Sequence, residues 1–163
     1  MKPRLVVVTS SPAEVVRCAG GWLFDRAMAG WEVLVLTAGG GDTRPLRILG
    51  TCAIDLETAL ALPIRGPRPH AIAVGADLFS AHGQVQDRVL RALEEGKAEV
   101  RFWGDPWPEE LDPGVSPPVA HRLSVAARAF KTEALGAAAC PTEICEATEM
   151  FRLTVSARSL GKA

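Results

Sequence analysis

Leu5-Val6-Val7-Val8-Thr9-Ser10-Ser11-Pro12-Ala13-Glu14-Val15-Val16 decides the fold, together with Glu32-Val33-Leu34-Val35-Leu36-Thr37 downstream of it. Leu5 to Val8 is an unbroken apolar run, the pattern of a strand buried on both faces. From Pro12 the period lengthens. Val15, Val16, Ala19, Trp22, Leu23 and Ala27 recur at three and four, which predicts an amphipathic helix. Ser11 suits the N-cap, Pro12 the first helical position, and Glu14 stands three after the cap, as in a capping box. Gly30 ends the helix and Glu32 to Leu36 reads as the next strand. A strand–helix–strand unit of about 33 residues is a parallel crossover.

The alternation continues outward. His70 to Val74 reads as a third strand, Gln84 to Glu95 as a helix with Val85, Val89, Leu90 and Leu93 on one face and Gly96 as its stop, and Val100 to Trp103 as a fourth strand. Ile54 to Leu62 suggests a short helix and Pro63 to Pro69 a stiff linker with three prolines. Gly104 to Pro118, with prolines at 106, 108, 113, 117 and 118, predicts a loop. A last helix is expected from Ser124 to Ala138 and a late strand over Phe151 to Val155. The expectation is an α/β fold, one domain over residues 1–163, with a mostly parallel sheet. Ligand sites of such sheets lie beyond the carboxyl ends of the strands, here the loops after Val8, Leu36 and Val74.

Composition narrows the function classes. Eighteen Lys and Arg against nineteen Asp and Glu give a formal charge of −1, which argues against nucleic acid or anionic lipid as a partner. Hydrophobic residues make up 48%, enough for a sizeable core. No apolar run reaches the roughly 18 residues of a membrane span, and Leu5 to Val8 is too short for a signal-peptide core, so a cytoplasmic location is expected. Cys18, Cys52, Cys140 and Cys145 form no C-x-x-C pair and are expected to be buried or idle thiols. The competing reading, a metal site at Cys140 and Cys145, has no histidine nearby to complete it.

The three loops carry the candidate chemistry. At the first, Ser11 and Glu14 are explained by helix capping alone, while the same helix start would accept an anion or a hydroxyl-rich ligand. The second, Thr37-Ala38-Gly39-Gly40-Gly41-Asp42-Thr43-Arg44, lets backbone approach a ligand closely, with Asp42 and Arg44 to hold its polar groups. It has neither the G-x-G-x-x-G spacing of a dinucleotide site nor the Gly-Lys-Ser/Thr ending of a phosphate loop. The third, Asp77 to Gly83, places His82 at the start of the following helix as a capping or solvated residue. A Ser11, His82, Asp77 triad lacks a G-x-S-x-G elbow.

Together these segments resemble the LmbE/PIG-L-like zinc-dependent N-acetyl-sugar deacetylases, whose motif is [AP]-H-P-D-D-E-x-x-x-x-G-G. Ser11-Pro12-Ala13-Glu14-Val15 followed by Gly20-Gly21 keeps its proline, its double glycine and the spacing between them. Ala29-Gly30-Trp31-Glu32-Val33-Leu34-Val35-Leu36-Thr37 is similar to A-G-H-E-V-x-V-V-T, and Phe79 to Leu90 to H-P-D-H-R-A-V-x-x-A-V-L. Lys131, Ala134-Leu135 and Glu149-x-Phe151 fall where the family has K-x-x-A-L and E-x-F. The resemblance spans nearly the whole chain and implies a Rossmann-like three-layer sandwich with helices on both faces.

It also implies a changed site. Where the family holds zinc with the motif's His, its second Asp and the last His of H-P-D-H, this chain has Ser11, Glu14 and His82, and Ala13 stands in place of the general base. A hydroxyl is a poor zinc ligand, and losing the base removes typically 10²–10⁴ in rate. Arg44 or Arg47 would replace a substrate-facing Arg of a longer segment. The leading expectation is therefore a degenerate deacetylase-fold protein without zinc or hydrolysis. It would bind a sugar-like ligand through Ser11, Gly39, Gly40, Asp42 and Arg44, or pair with a second copy or an active paralogue. One alternative keeps an active hydrolase that removes an N-acetyl group from an amino-sugar conjugate, with zinc at Glu14 and His82, Asp42 as a further candidate ligand, and Glu14 or Asp77 as base. Another is an assembly role, with Trp103, Trp107 and the proline-rich loop as contact surface; the competing reading of the two tryptophans is that they pin that loop to the domain.

Overall fold

The computed structural model describes residues 2–62, 68–104, 118–139 and 145–154. Its elements run β1 (Arg4–Thr9), α1 (Pro12–Met28), β2 (Glu32–Thr37), α2 (Arg44–Ile48), β3 (Cys52–Asp55), α3 (Leu56–Ala61), β4 (Ala71–Gly75), α4 (Ala76–Ala81), α5 (Gly83–Glu95), β5 (Glu99–Trp103), β6 (Pro118–Arg122), α6 (Val125–Ala137) and β7 (Thr148–Thr154). The strands form one seven-stranded sheet in the order β3-β2-β1-β4-β5-β7-β6. The first five are parallel, and β7 joins β5 antiparallel and carries β6 at the edge. The expected mostly parallel α/β sheet is what the chain forms.

Period-two alternation along the central strands sorts the core into two layers. Leu5 and Val7 of β1, with Val33 and Val35 of β2, face α1, α2 and α6, where Val16, Leu23, Leu46 and Leu135 bury. Val8 and the partly buried Val6 and Leu36 face the other way, toward Phe79, Val85, Val89 and Leu93 of α4 and α5. Helices on both faces of one sheet make the three-layer sandwich.

α1 is held at its middle by an ion pair from distant sequence. Glu149 of β7 accepts from the amides of Gly21 (2.9 Å) and Trp22 (2.7 Å). Lys131 of α6 donates to Glu149 (2.7 Å) and to the carbonyl of Arg17 (2.8 Å). In an α-helix Arg17 is the carbonyl partner of the Gly21 amide, so the pair reaches both ends of that rung. Both side chains are buried, 3% and 2% exposed. Gly21 is required beside them, because a Cβ there would lie 2.2 Å from the side chain of Leu123. The last turn of α1 is tied as well. Asp25 accepts from the Ser124 hydroxyl (2.6 Å), its amide (3.2 Å) and His121 Nε2 (2.8 Å), while Ser124 caps α6.

The structure corrects several boundaries. Ile54 and Asp55, expected to open a helix, end the edge strand β3, and the helix begins at Leu56. β3 is mostly exposed, so it has no apolar alternation to betray it. Asp77 to Ala81, expected in a loop, lie in α4. β7 starts earlier than expected, at Thr148, and Pro118 opens β6 at a sheet edge, where a missing N–H costs no ladder bond. Residues 63–67 of the expected linker, 105–117 of the expected loop, and Val155 lie outside the described residues. Trp103 is 2% exposed and packs into the core, so it offers no contact surface, and Trp107 lies outside the described residues. Cys18 and Cys145 are half-buried free thiols and Cys52 is an exposed one, so of the expectation of buried or idle thiols full burial does not hold for these three; Cys140 is outside the described residues.

Candidate functional site

β1 lies between β2 and β4, so the chain leaves β1 and β4 toward opposite faces and opens a crevice at their carboxyl ends. The parallel register brings Thr9 level with Thr37, and Val8 level with Val74. Each of the three strands ends one residue later than the sequence suggests, at Thr9, Thr37 and Gly75.

The first loop is built around Glu14. Ser11 Oγ accepts from the Glu14 amide (3.2 Å), which is the N-cap expected from the sequence. The reciprocal arm of the capping box is displaced. The Glu14 carboxylate accepts from the Thr9 hydroxyl (3.2 Å), the Ser10 amide (3.4 Å) and the Ser10 hydroxyl, one residue before the cap. Thr9 is fully buried, and all three bonds reach one oxygen, Oε2, which ties that side of the carboxylate to the strand end. One turn on, burial raises the pKa of the Cys18 thiol and the neighbouring Glu14 carboxylate adds to the rise. That thiol is a weak nucleophile.

The second loop is stitched to the first. The amides of Ala38 and Gly39 donate to the carbonyls of Thr9 and Ser10, each at 3.0 Å. A Cβ on Gly39 would stand 2.9 Å from the Ser10 carbonyl oxygen, so the glycine serves a close approach of backbone to backbone. Gly40, Asp42 and Arg44 are exposed at the rim. Asp42 and Arg44 pair with each other through Nε and Nη2, both at 2.9 Å, and Asp42 also accepts from the Arg44 amide (3.0 Å). The Arg44 side chain, helped by that amide, holds the Asp42 carboxyl below its ordinary pKa.

His82 stands on the opposite face as the N-cap of α5. Its Nδ1 accepts from the Val85 amide (3.4 Å), which leaves the proton on Nε2 to donate to Glu57 Oε1 (3.1 Å). Asp77, in the first turn of α4, accepts from the Leu78 amide (2.9 Å). Ser11 and His82 thus each cap a different helix, and Ser11, His82 and Asp77 make no relay. The sequence reading missed Thr9, Ser10 and Glu57. Asp55 caps α3 by accepting from Thr58 (3.0 Å), a start signal that places Glu57 in the first turn of the helix, but nothing local points from Glu57 to His82.

These donors do not fit a zinc ion. Ser11 is spent on a cap, both nitrogens of His82 have protein partners, and Oε2 of Glu14 takes three local hydrogen bonds. Among the described residues no three His, Cys, Asp or Glu side chains gather as a metal-binding set. Among them, too, no helix is long and apolar enough to cross a membrane.

The arrangement defines an α/β protein with the Rossmann-like sandwich of the deacetylases. The antimicrobial reagent A40926 pseudoaglycone deacetylase Dbv21 superposes with a TM-score of 0.66 at 14% identity, over 96% of this chain and 99% of that one. The teicoplanin deacetylase Orf2, solved in a zinc-inhibited form, gives 0.62 at 12% identity over 92% and 97%. A 4-carboxy-2-hydroxymuconate hydratase from Pseudomonas putida gives 0.58 at 14% identity over 94% and 95%. These likenesses establish the fold, and the hydratase among them means that the fold does not name the reaction. No family model matches the sequence, and no curated protein matches it.

Proposed function

We propose that this chain is a degenerate member of the LmbE/PIG-L-like deacetylase fold that works without zinc and without hydrolysis. In this reading residues 1–163 act as one cytoplasmic domain, alone or beside a second copy or an active paralogue. A sugar-like ligand is taken at the carboxyl edge of the sheet. Ser11, Gly39 and Gly40 line its approach, and Asp42 and Arg44 supply donors and acceptors at the rim. The observation that carries the reading is the state of Glu14. The carboxylate best placed to replace a zinc ligand is tied through Oε2 to Thr9 and Ser10, beside an alanine that cannot accept a proton.

Metal content is the deciding test. The purified chain, incubated with Zn²⁺ and desalted, is expected to hold no zinc above background and to leave an N-acetylglucosamine conjugate intact. Near one zinc per chain, lost in His82→Ala and accompanied by turnover, would instead establish the active hydrolase with Glu14 and His82 as ligands.

A further inference from the structure

A cavity of about 290 Å³ lies on the face of the sheet between α3 and α5, and none of the residues of the proposed sugar site lines it. Its floor is Val6, Leu36 and Ile72, and its walls are Leu60, Val85 and Val89. α3 spans only Leu56 to Ala61, too short to cover the sheet, so these floor residues stay only partly buried. The size is at the small end of the roughly 300–1,000 Å³ typical of ligand pockets.

The mouth is built and it is charged. Arg88 donates to the Leu60 carbonyl (3.2 Å) and Arg68 pairs with Glu95, so two cross-links bridge from α5 to the chain around α3 and β4. Arg68, Arg88, Arg91 and Lys97 line the cavity against the single carboxylate of Glu95. Arg91 and Lys97 have no partner among the described residues. In a chain of net charge −1, this is a local concentration of cations beside an apolar chamber. Such a chamber rejects polar ligands, and the free cations favour an anionic head.

We propose that this cavity binds a linear medium-chain carboxylate, its alkyl tail on the sheet face and its head at Arg91 and Lys97. The inference does not depend on the proposed sugar site.

Calorimetric titration of the unmodified protein with hexanoate, octanoate and decanoate, each below its micellar concentration, tests it. Affinity is expected to rise about fourfold per added methylene until the cavity is full. The double variant Arg91→Gln/Lys97→Gln should weaken decanoate about tenfold and leave decanol unchanged. Ala92→Phe and Ala59→Phe each place a ring in the cavity and should abolish binding, with circular dichroism melts confirming that each variant folds. No saturable binding by the unmodified chain overturns the proposal. So does binding that survives in a folded cavity-filled variant, or a loss of decanol equal to that of decanoate. Dimerisation that Ala92→Phe abolishes would replace the ligand with a second copy of the chain.

Discussion

Two carboxylates meet α1, and they are held in different ways. Glu149 reaches its middle from β7, is buried, and is matched by a buried lysine and two backbone amides. Glu14 belongs to its first turn, is half-buried, and is held by the hydroxyls and amide of the two residues that end β1 and leave it. The middle of the helix is where this chain keeps the deacetylase-like pattern: Gly20-Gly21, Lys131 and Glu149. The start is where it departs, at Ser11 and Ala13. Gly21, Lys131 and Glu149 hold the middle of the helix against α6 and β7.

The contrast can be broken most forcefully at Glu149. Glu149→Gln leaves a buried ammonium without its counter-charge and should cost about 3–5 kcal/mol, roughly 10 °C in Tm, by urea and thermal unfolding. A loss below about 1 kcal/mol would mean that the pair is solvated and that the middle of α1 is no more rigid than its start.

The double glycine sharpens the same point. Gly21→Ala drives a methyl into Leu123 and should cost about 1–3 kcal/mol despite the better helix propensity of alanine, with part recovered in Gly21→Ala/Leu123→Ala. Gly20→Ala meets Leu49 at 3.4 Å, an ordinary contact, and should lie within about 1 kcal/mol of the parent. Equal effects at the two glycines would dissolve the distinction between them.

At the helix start the expected effect is smaller. Ser11→Ala removes the N-cap and should cost about 1 kcal/mol in denaturant unfolding, with zinc content unchanged. A change in bound metal would show that Ser11 serves more than the cap.

The smallest signal is a pH dependence at the far end of α1. Burial works to raise the pKa of Asp25, but the hydrogen bonds from Ser124 and His121 outweigh it and the folded pKa falls below the ordinary carboxylate value. A depressed pKa stabilises the fold above the unfolded value of about 3.9, and that contribution is lost as pH falls through the folded pKa. Melting temperature should therefore drop below about pH 4 less steeply in Asp25→Asn than in the parent. Parallel profiles would remove Asp25 from the clamp.

How much of this was readable depends on how local the signal is. Leu5 to Val8, the three-and-four spacing after Pro12 and the run from Glu32 fixed the crossover unit, because burial on two faces and on one face leave different periods. Ser11 as a cap of α1 and His82 as a cap of α5 were equally legible, since a cap bonds within three residues. β3 and β6 escaped, being edge strands without an apolar face. Thr9 and Ser10 escaped because they hold Glu14 only once the strand end and the first turn are in place. Glu57 escaped because its tie to His82 spans 25 positions.

By itself, then, the sequence determined the alternation of strand and helix, the carboxyl-edge loops and the capped start of α1, all consequences of contacts a few residues apart. The tertiary structure alone decided what each carboxylate does. It set Glu149 on the amides of a helix 127 and 128 positions away, turned Glu14 toward strand-end hydroxyls, joined Glu57 to His82, and left a charged-mouthed cavity beside a short helix. Charges and hydrogen bonds act through distance and burial, and neither is written in the order of residues.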